Sequence, residues 1–189
     1  MQEKPREHIH KGIVLKTVLT FLVSYLLFLI LWIAVKDSYA RGIIFTASKV
    51  VAGMKDTTFE EMTEERDIIQ ATFSPLERGS DVLIDIPVKT SSYTFNAPLT
   101  FAIMAAMYRF IRKKRAYGEA LLILLSVHLL YVFSLEAKVL TDVLVDRGLE
   151  KAGNPRIFFY QFLWSFTENM VIRFEPFLIG FYMFIRFRK

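Results

Sequence analysis

The chain has 189 residues, of which 53% are hydrophobic and 23% are charged, and its formal net charge is +5. It contains no cysteine, which excludes disulfides, thiolate metal sites and a cysteine nucleophile. The lysines and arginines cluster at the ends of apolar runs, which indicates a membrane protein rather than a nucleic-acid-binding protein.

Residues 12–35 are the first predicted membrane-spanning helix. This run carries a single charge, Lys16, near its start. At 1.5 Å per residue it is long enough to cross a hydrocarbon core of about 30 Å. It is also longer than the apolar region of a signal peptide and is followed by no cleavage pattern, so we expect a retained anchor.

Residues 1–11 form a short polar N-terminus with several basic side chains. The positive-inside rule therefore places it in the cytoplasm. His8 and His10 lie two residues apart, but no third ligand is near them. We expect no metal site and no cofactor here or elsewhere in the chain.

Residues 36–94 are predicted to form an extracytoplasmic domain, because this segment has a net negative charge. Its first part, residues 38–54, has apolar side chains at helical spacing and predicts a short amphipathic helix. Gly53 is the expected stop signal of that helix.

Further along the same segment, the hydrophobic period changes from helical spacing to strand spacing. Residues 67–73 and 81–88 alternate apolar with other side chains, and residues 57–63 are a weaker third candidate. Pro87 predicts an edge strand, because proline donates no hydrogen bond to a neighbouring strand. Together these patterns predict a small antiparallel sheet.

An acidic group accompanies the predicted strands, consisting of Glu60, Glu61, Glu64, Glu65 and Asp67. A calcium site would require ligands at loop spacing with a glycine at the turn, and that pattern does not occur. We interpret the group as a solvated edge whose charge discourages pairing between sheets.

Residues 95–111 are the second predicted span, and residues 112–118 the cytoplasmic loop that follows it. The loop begins with the basic block RKKR, which we expect to contact anionic headgroups. Several alanines in the span suit close helix packing.

Residues 119–135 are the third predicted span, and His128 lies near its middle. An ionisable group at that depth suggests a proton relay or a polar contact to a neighbouring helix. Both interpretations remain open at the level of sequence.

The rest of the chain is predicted to return to the cytoplasm. Residues 136–156 have the pattern of an outer amphipathic helix followed by a turn, and residues 157–189 that of an aromatic interfacial segment and a tilted or kinked fourth span. The predicted fold is therefore an α-helical polytopic membrane protein with four transmembrane helices and a small extracytoplasmic antiparallel β-containing domain. We place it in the bacterial inner membrane with both termini cytoplasmic.

Charged residues interrupt the last apolar section at Glu168, Arg173 and Glu175. They are candidates for binding a partner or substrate, or for neutralising one another within the helix bundle. The three histidines lack a convincing Ser or Asp partner and no phosphate-binding loop is present. We therefore expect a protein without enzymatic activity.

Two segments carry a resemblance to a known family. Residues 93–106, YTFNAPLTFAIMAA, precede and form the second predicted span, and residues 158–166, FFYQFLWSF, precede the last one. Together with the order of spans, they resemble exosortase-associated membrane proteins, most of all the exosortase H-associated type. The resemblance covers most of the chain.

This resemblance implies a partner, namely an exosortase, an intramembrane cysteine transpeptidase or protease that processes C-terminal sorting signals in the bacterial envelope. The chain would then be an accessory protein in envelope protein sorting, with the outer sheet and the region around Tyr160 and Gln161 as candidate contact surfaces. Its other expected contacts are the lipid bilayer and further copies of itself.

Two other classes of function remain open. In a small transporter or channel subunit, His128, Glu168, Arg173 and Glu175 would line a polar path through the third and fourth spans. In a membrane-anchored sensor, the outer domain would bind a ligand, although no output module follows any span.

Overall fold

The structure is a computed structural model that describes residues 4–76, 83–151, 153 and 155–187, with side chains from residue 12 onwards. The chain is mostly helical with one small sheet. It divides into two compact units. Unit 1 comprises Met1–Val35, Phe95–Leu124 and Glu175–Lys189, and unit 2 comprises Lys36–Thr94 and Leu125–Phe174.

The first helix, α1, runs without interruption over Lys4–Met54. The predicted span at residues 12–35 and the predicted separate helix at residues 38–54 are therefore one element. Lys36 and Asp37 end the apolar run, but charged side chains do not interrupt backbone hydrogen bonding. The helix ends at Met54 and the chain then reverses through Asp56, whose φ of 49° is left-handed.

Three strands form an antiparallel sheet in the order β1, β2, β3, which confirms the predicted sheet. Their bounds are Thr57–Glu65 for β1, Ile68–Pro75 for β2 and Ile84–Lys89 for β3. Residues 81 and 82, which belonged to the predicted strand at residues 81–88, lie outside the described residues. Strand β3 lies at an edge, as its proline predicts.

One face of the sheet is buried in the core of unit 2. The alternation is clearest in β3, where every second residue is buried. The buried sheet residues share a hydrophobic cluster with the second half of α1. Phe59, Phe73 and Ile86 are among its members from the sheet, and Ile43 and Ile44 among those from α1. The sheet thus holds the end of α1 through apolar packing.

The second predicted span is not a complete crossing. After the short helix α2, Ser91–Thr94, helix α3 covers only Asn96–Met107, or 12 residues. At 1.5 Å per residue it is about 18 Å long, short of a hydrocarbon core. A turn at residues 108–110 and a segment without regular secondary structure at residues 111–113 replace its predicted end, and this segment already contains the first two residues of the basic block.

Helix α4 covers Lys114–Asp146. It joins the predicted third span and most of the predicted outer amphipathic helix into one element, so the separate helix at residues 136–156 was a wrong prediction. Glu136 marked the predicted boundary because it is charged. In the structure that side chain is fully buried and the helix continues through it.

The last section is helical throughout its described length. Helix α5, Pro155–Phe166, is followed by a π-helical turn at Thr167–Val171 and by helix α6, Ile172–Phe187. A π turn inserts an extra residue into a helix and often lies at a functional site. It occupies the stretch where the sequence predicted a tilt or kink.

Two described helices, not four, are long and apolar enough to cross a membrane: Gly12–Met54 and Lys114–Asp146. In the first of these helices, only 6% of the 18-residue apolar stretch is buried within the protein. Large aliphatic side chains along residues 14–35 are exposed in unit 1. Such a surface suits contact with lipid, since exposing so much apolar area to water is unfavourable.

Candidate functional site

A buried polar centre lies inside unit 2, between α1 and α4. His128 has no exposed surface. Its Nδ1 lies 2.7 Å from the Tyr39 hydroxyl oxygen. The rings of Tyr39 and Tyr93 pack edge-on against the imidazole, with centroid distances of 5.6 and 5.3 Å. The histidine is thus enclosed by aromatic rings and fixed by a hydrogen bond.

Two turns further along α4, Glu136 makes a second polar contact to α1. The Ser48 hydroxyl donates a hydrogen bond of 2.7 Å to Glu136 Oε1. The other carboxyl oxygen, Oε2, is buried and has no hydrogen-bond partner among the described residues. Because an unsatisfied buried polar atom is costly, this pair constrains the register between α1 and α4.

Asp67 holds the chain that carries Tyr93 into this centre. The Thr90 hydroxyl donates a hydrogen bond of 2.7 Å to Asp67 Oδ1, and the Ser91 backbone N–H donates one of 3.1 Å to the same oxygen. The Ser91 hydroxyl donates a hydrogen bond to Asp67 Oδ2. Burial opposes ionisation, but these hydrogen bonds outweigh it and lower the pKa of Asp67. Burial also raises the pKa of Tyr93, as do the nearby Tyr39 and Glu136, so Tyr93 stays neutral.

A charged cluster lies where α1 ends. Lys55 Nζ contacts both oxygens of Glu150, at 3.0 and 3.3 Å. The same ammonium lies 4.7 Å from the centre of the Tyr160 ring, a cation–π distance. Only 6% of the Lys55 side chain is exposed. Because a buried charge without a partner is costly, these contacts stabilise the Lys55 ammonium.

Two rows of exposed side chains at four-residue spacing run along α5, the π turn and the start of α6. We call the first the aromatic stripe, formed by Phe158, Phe162, Phe166, Met170 and Phe174. We call the second the polar stripe, formed by Gln161, Ser165, Asn169 and Arg173.

The rows are exposed because the opposite side of α5 is committed to the core of unit 2. Tyr160 is buried, and the Trp164 ring packs against Tyr131 with centroids 5.1 Å apart. Residues four apart in a helix lie nearly above one another, so each stripe follows the helix as a narrow row. Phe158 is 74% exposed and Phe162 is 57% exposed, values unusual for aromatic side chains facing water.

The comparison with known families decides which class of protein carries these features. The sequence model described as exosortase H-associated membrane protein matches residues 12–187, nearly the whole chain. The chain belongs to this family. The match confirms the resemblance seen in the two apolar segments. No curated protein and no solved structure matches the chain.

In this exosortase H-associated protein, the predicted site residues separate into buried and exposed groups. His128 and Tyr160 lie in the core of unit 2. Gln161 and Arg173 are exposed on the polar stripe, and Glu168 is half-buried in the π turn. Within the described part of the chain no ion pair joins Glu168 to Arg173.

Glu175 has a different environment from the other predicted residues. It belongs to unit 1, where it is 1% exposed and accepts a 3.1 Å hydrogen bond from Asn96 Nδ2. His128 belongs to unit 2 and is enclosed by tyrosine rings.

Several residues of these sites were not predicted from sequence. Tyr39, Ser48 and Glu136 meet only because α1 and α4 pack together, and nothing in their local patterns indicates this pairing. The polar stripe did carry a signal, since Ser165 and Asn169 continue the four-residue spacing of Gln161. That spacing identifies a row on a helix but not whether the row is buried.

Proposed function

We propose that this chain is a non-enzymatic accessory protein that associates with an exosortase-like cysteine transpeptidase in the bacterial inner membrane and takes part in envelope protein sorting. Its family is described by association with exosortase H. The chain has no cysteine, so the nucleophile of such a reaction would belong to the partner.

The observation that carries this proposal is the pair of exposed stripes, which run along α5, the π turn and the start of α6. Lipid would suit the aromatic stripe but not the polar one, because an arginine at the centre of a bilayer costs about 2.5–3.5 kcal/mol on insertion scales. Water would suit the polar stripe but leave five large apolar side chains exposed. A partner transmembrane helix satisfies both, since polar side chains can hydrogen-bond across helices while aromatic rings pack beside them.

We further propose that the basic end of unit 1 faces the cytoplasm. The described residues of the basic block 112–115 are exposed, and Arg186 lies near the end of α6 in the same unit. Anionic headgroups of the cytoplasmic leaflet attract such clusters. We also propose that residues 36–94 are extracytoplasmic, in agreement with their net negative charge.

Site-specific photo-crosslinking in native membranes tests the contact surface directly. A photoreactive residue is placed in turn at Phe162, Ser165 and Asn169, and the adducts are identified by mass spectrometry. We expect adducts with one multi-span membrane enzyme that contains a catalytic cysteine. The control positions are Leu22 and Leu26, which are exposed on α1 within unit 1 and should crosslink to lipid.

Substitution then measures the contribution of the stripes. Phe158→Ala combined with Phe162→Ala should reduce co-purification of the partner at least about tenfold, because aromatic anchors dominate interface energies. Leu22→Ala combined with Leu26→Ala removes comparable exposed apolar surface and should have no effect. Lipid adducts alone from the stripes, with an unchanged yield of the partner, would show that α5 is an interfacial helix and would overturn the proposal.

A further inference from the structure

A cleft of about 290 Å³ lies in unit 2 and is not part of the surface proposed for the partner. It forms where α1 ends and β1 begins, beside the end of β2, the connection after α4 and the first turn of α5. Its volume is near the lower limit for ligand sites and suits a small molecule or a few residues of peptide.

Charged side chains line the interior of the cleft. Lys55 forms its cationic centre, with Glu150 bound to the ammonium and Tyr160 beneath it. Arg156 also lines the cleft, in the first turn of α5. The positive end of the α5 dipole adds to these two cations and offsets the carboxylates of Asp56 and Glu150, which also line the cleft.

A second, independent feature points to a ligand. Thr57 lines the cleft and is 5% exposed, yet its hydroxyl is buried with no hydrogen-bond partner among the described residues. Around the charged interior, Met54, Leu76 and Leu149 expose apolar surface. The cleft thus offers cations, a spare hydroxyl and an apolar rim within one small volume.

Glu150 is the group that an incoming anion would replace. It lies in the connection between α4 and α5, which contains two glycines in left-handed conformations, Gly148 with φ of 72° and Gly153 with φ of 85°. A carboxylate held by such a connection can leave Lys55 without unwinding a helix. Glu150 therefore holds the place of an external carboxylate.

We propose that this cleft binds a peptide segment that carries a carboxylate side chain beside an apolar residue. The carboxylate contacts Lys55 and Arg156, and the apolar neighbour contacts the rim. A phosphate dianion fits less well, because Asp56 and Glu150 already place two carboxylates in the lining. Strand β1 begins at Thr57 and lies at an edge of the sheet, where an extended peptide can continue along the backbone. The site is independent of the partner proposed above.

Methionine-methyl NMR of the purified protein in detergent tests this site, because Met54 lines the cleft while Met170 lies on the aromatic stripe. The probes are the capped tripeptides Leu-Glu-Leu and Leu-Gln-Leu, and inorganic phosphate. We expect Leu-Glu-Leu to shift the Met54 signal in a saturable manner and Leu-Gln-Leu to bind about fivefold more weakly or not at all. The Met170 signal should not move.

Three variants assign the charges. Lys55→Met should abolish the Met54 shift, and Glu150→Gln should tighten binding about fivefold because it removes the competing carboxylate. Lys49→Met is the matched control, since Lys49 also lies near aromatic rings, those of Phe45 and Phe59, but outside the cleft. If Lys55→Met does not fold, Arg156→Gln replaces it and should weaken binding.

The proposal is overturned by any of three results. Equal shifts with Leu-Glu-Leu and Leu-Gln-Leu would show that the carboxylate is not recognised. Unchanged or weaker binding in the Glu150→Gln protein would show that Glu150 does not compete. Saturable binding of phosphate in place of the peptide, lost in the Lys55→Met protein, would assign the cleft to a phosphate group.

Discussion

The polar centre around His128 makes a sharp prediction, because two tyrosines contact the same imidazole in different ways. The Tyr39 hydroxyl lies at hydrogen-bond distance from His128 Nδ1. The Tyr93 hydroxyl is buried and has no hydrogen-bond partner among the described residues. The same change, tyrosine to phenylalanine, should therefore have opposite consequences at the two positions.

The expected magnitudes follow from these contacts. Tyr39→Phe removes a partner from a fully buried nitrogen, which costs about 1–3 kcal/mol. In a chain of this length, 1 kcal/mol shifts the melting temperature by roughly 2–4 °C, so a decrease of roughly 5 °C is expected. Tyr93→Phe keeps the ring contact with His128 and removes a buried hydroxyl that makes no hydrogen bond. Its melting temperature should be unchanged or a few degrees higher, by roughly 0–3 °C.

Tryptophan fluorescence during thermal unfolding measures both effects. The chain has two tryptophans, and Trp164 lies in unit 2 against Tyr131. Replacing Trp32 with phenylalanine in every variant leaves Trp164 as the reporter of unit 2. Tyr25→Phe is the control, since this tyrosine stacks on Phe21 in unit 1, away from the polar centre.

A decrease in melting temperature for Tyr93→Phe as large as that for Tyr39→Phe would refute the reasoning. It would mean that the Tyr93 hydroxyl has a partner and that both tyrosines hold the imidazole. No change for Tyr39→Phe would refute it equally, because the 2.7 Å contact would then contribute nothing to stability.

Two further predictions concern the folded chain outside this centre. Asp67→Asn should lower stability at neutral pH, and the difference from the unchanged protein should disappear as pH falls through the lowered pKa of Asp67, below 3.8. Thermal melts from pH 7 to pH 3 measure this, and Glu61→Gln on the exposed side of β1 should show no such trend. Gly180→Ala should lower the melting temperature in the same assay, because the new methyl would lie 2.9 Å from the Ile103 side chain. Gly42→Ala meets no atom within 4 Å and should raise stability by up to about 1 kcal/mol, and the opposite order of the two glycine variants would contradict the packing of α3 against α6.

The helix boundaries show where reasoning from sequence failed. Lys36 and Asp37 were interpreted as the end of a helix, and Glu136 as the end of another, because each ends an apolar run. Charged residues end the hydrophobic part of a helix, whereas proline, glycine or competing caps end the helix itself. No proline lies at or near these charged residues in α1 or α4, so both helices continue through them.

The stripes show which of the candidate partner residues are exposed and which are not. The sequence placed Gln161 and Arg173 among the candidate partner residues, and both are exposed on the polar stripe. It placed Tyr160 in the same group, but that ring is turned into the core beneath Lys55. Neighbouring residues on a helix point about 100° apart, so only packing decides which of them remains available.

The sequence by itself determined the membrane character of residues 12–35, the antiparallel sheet with an edge strand at Pro87, and the family. The first two follow from local composition and period, because a long apolar run or an alternation of apolar and polar residues is a local pattern. The family followed from the resemblance carried by residues 93–106 and 158–166. Only the tertiary structure decided that Tyr39 meets His128 across 89 positions and that Ser48 meets Glu136 across 88. Such pairs depend on how two helices pack, and no sequence pattern within one helix indicates which side chain of the other helix its residues will contact.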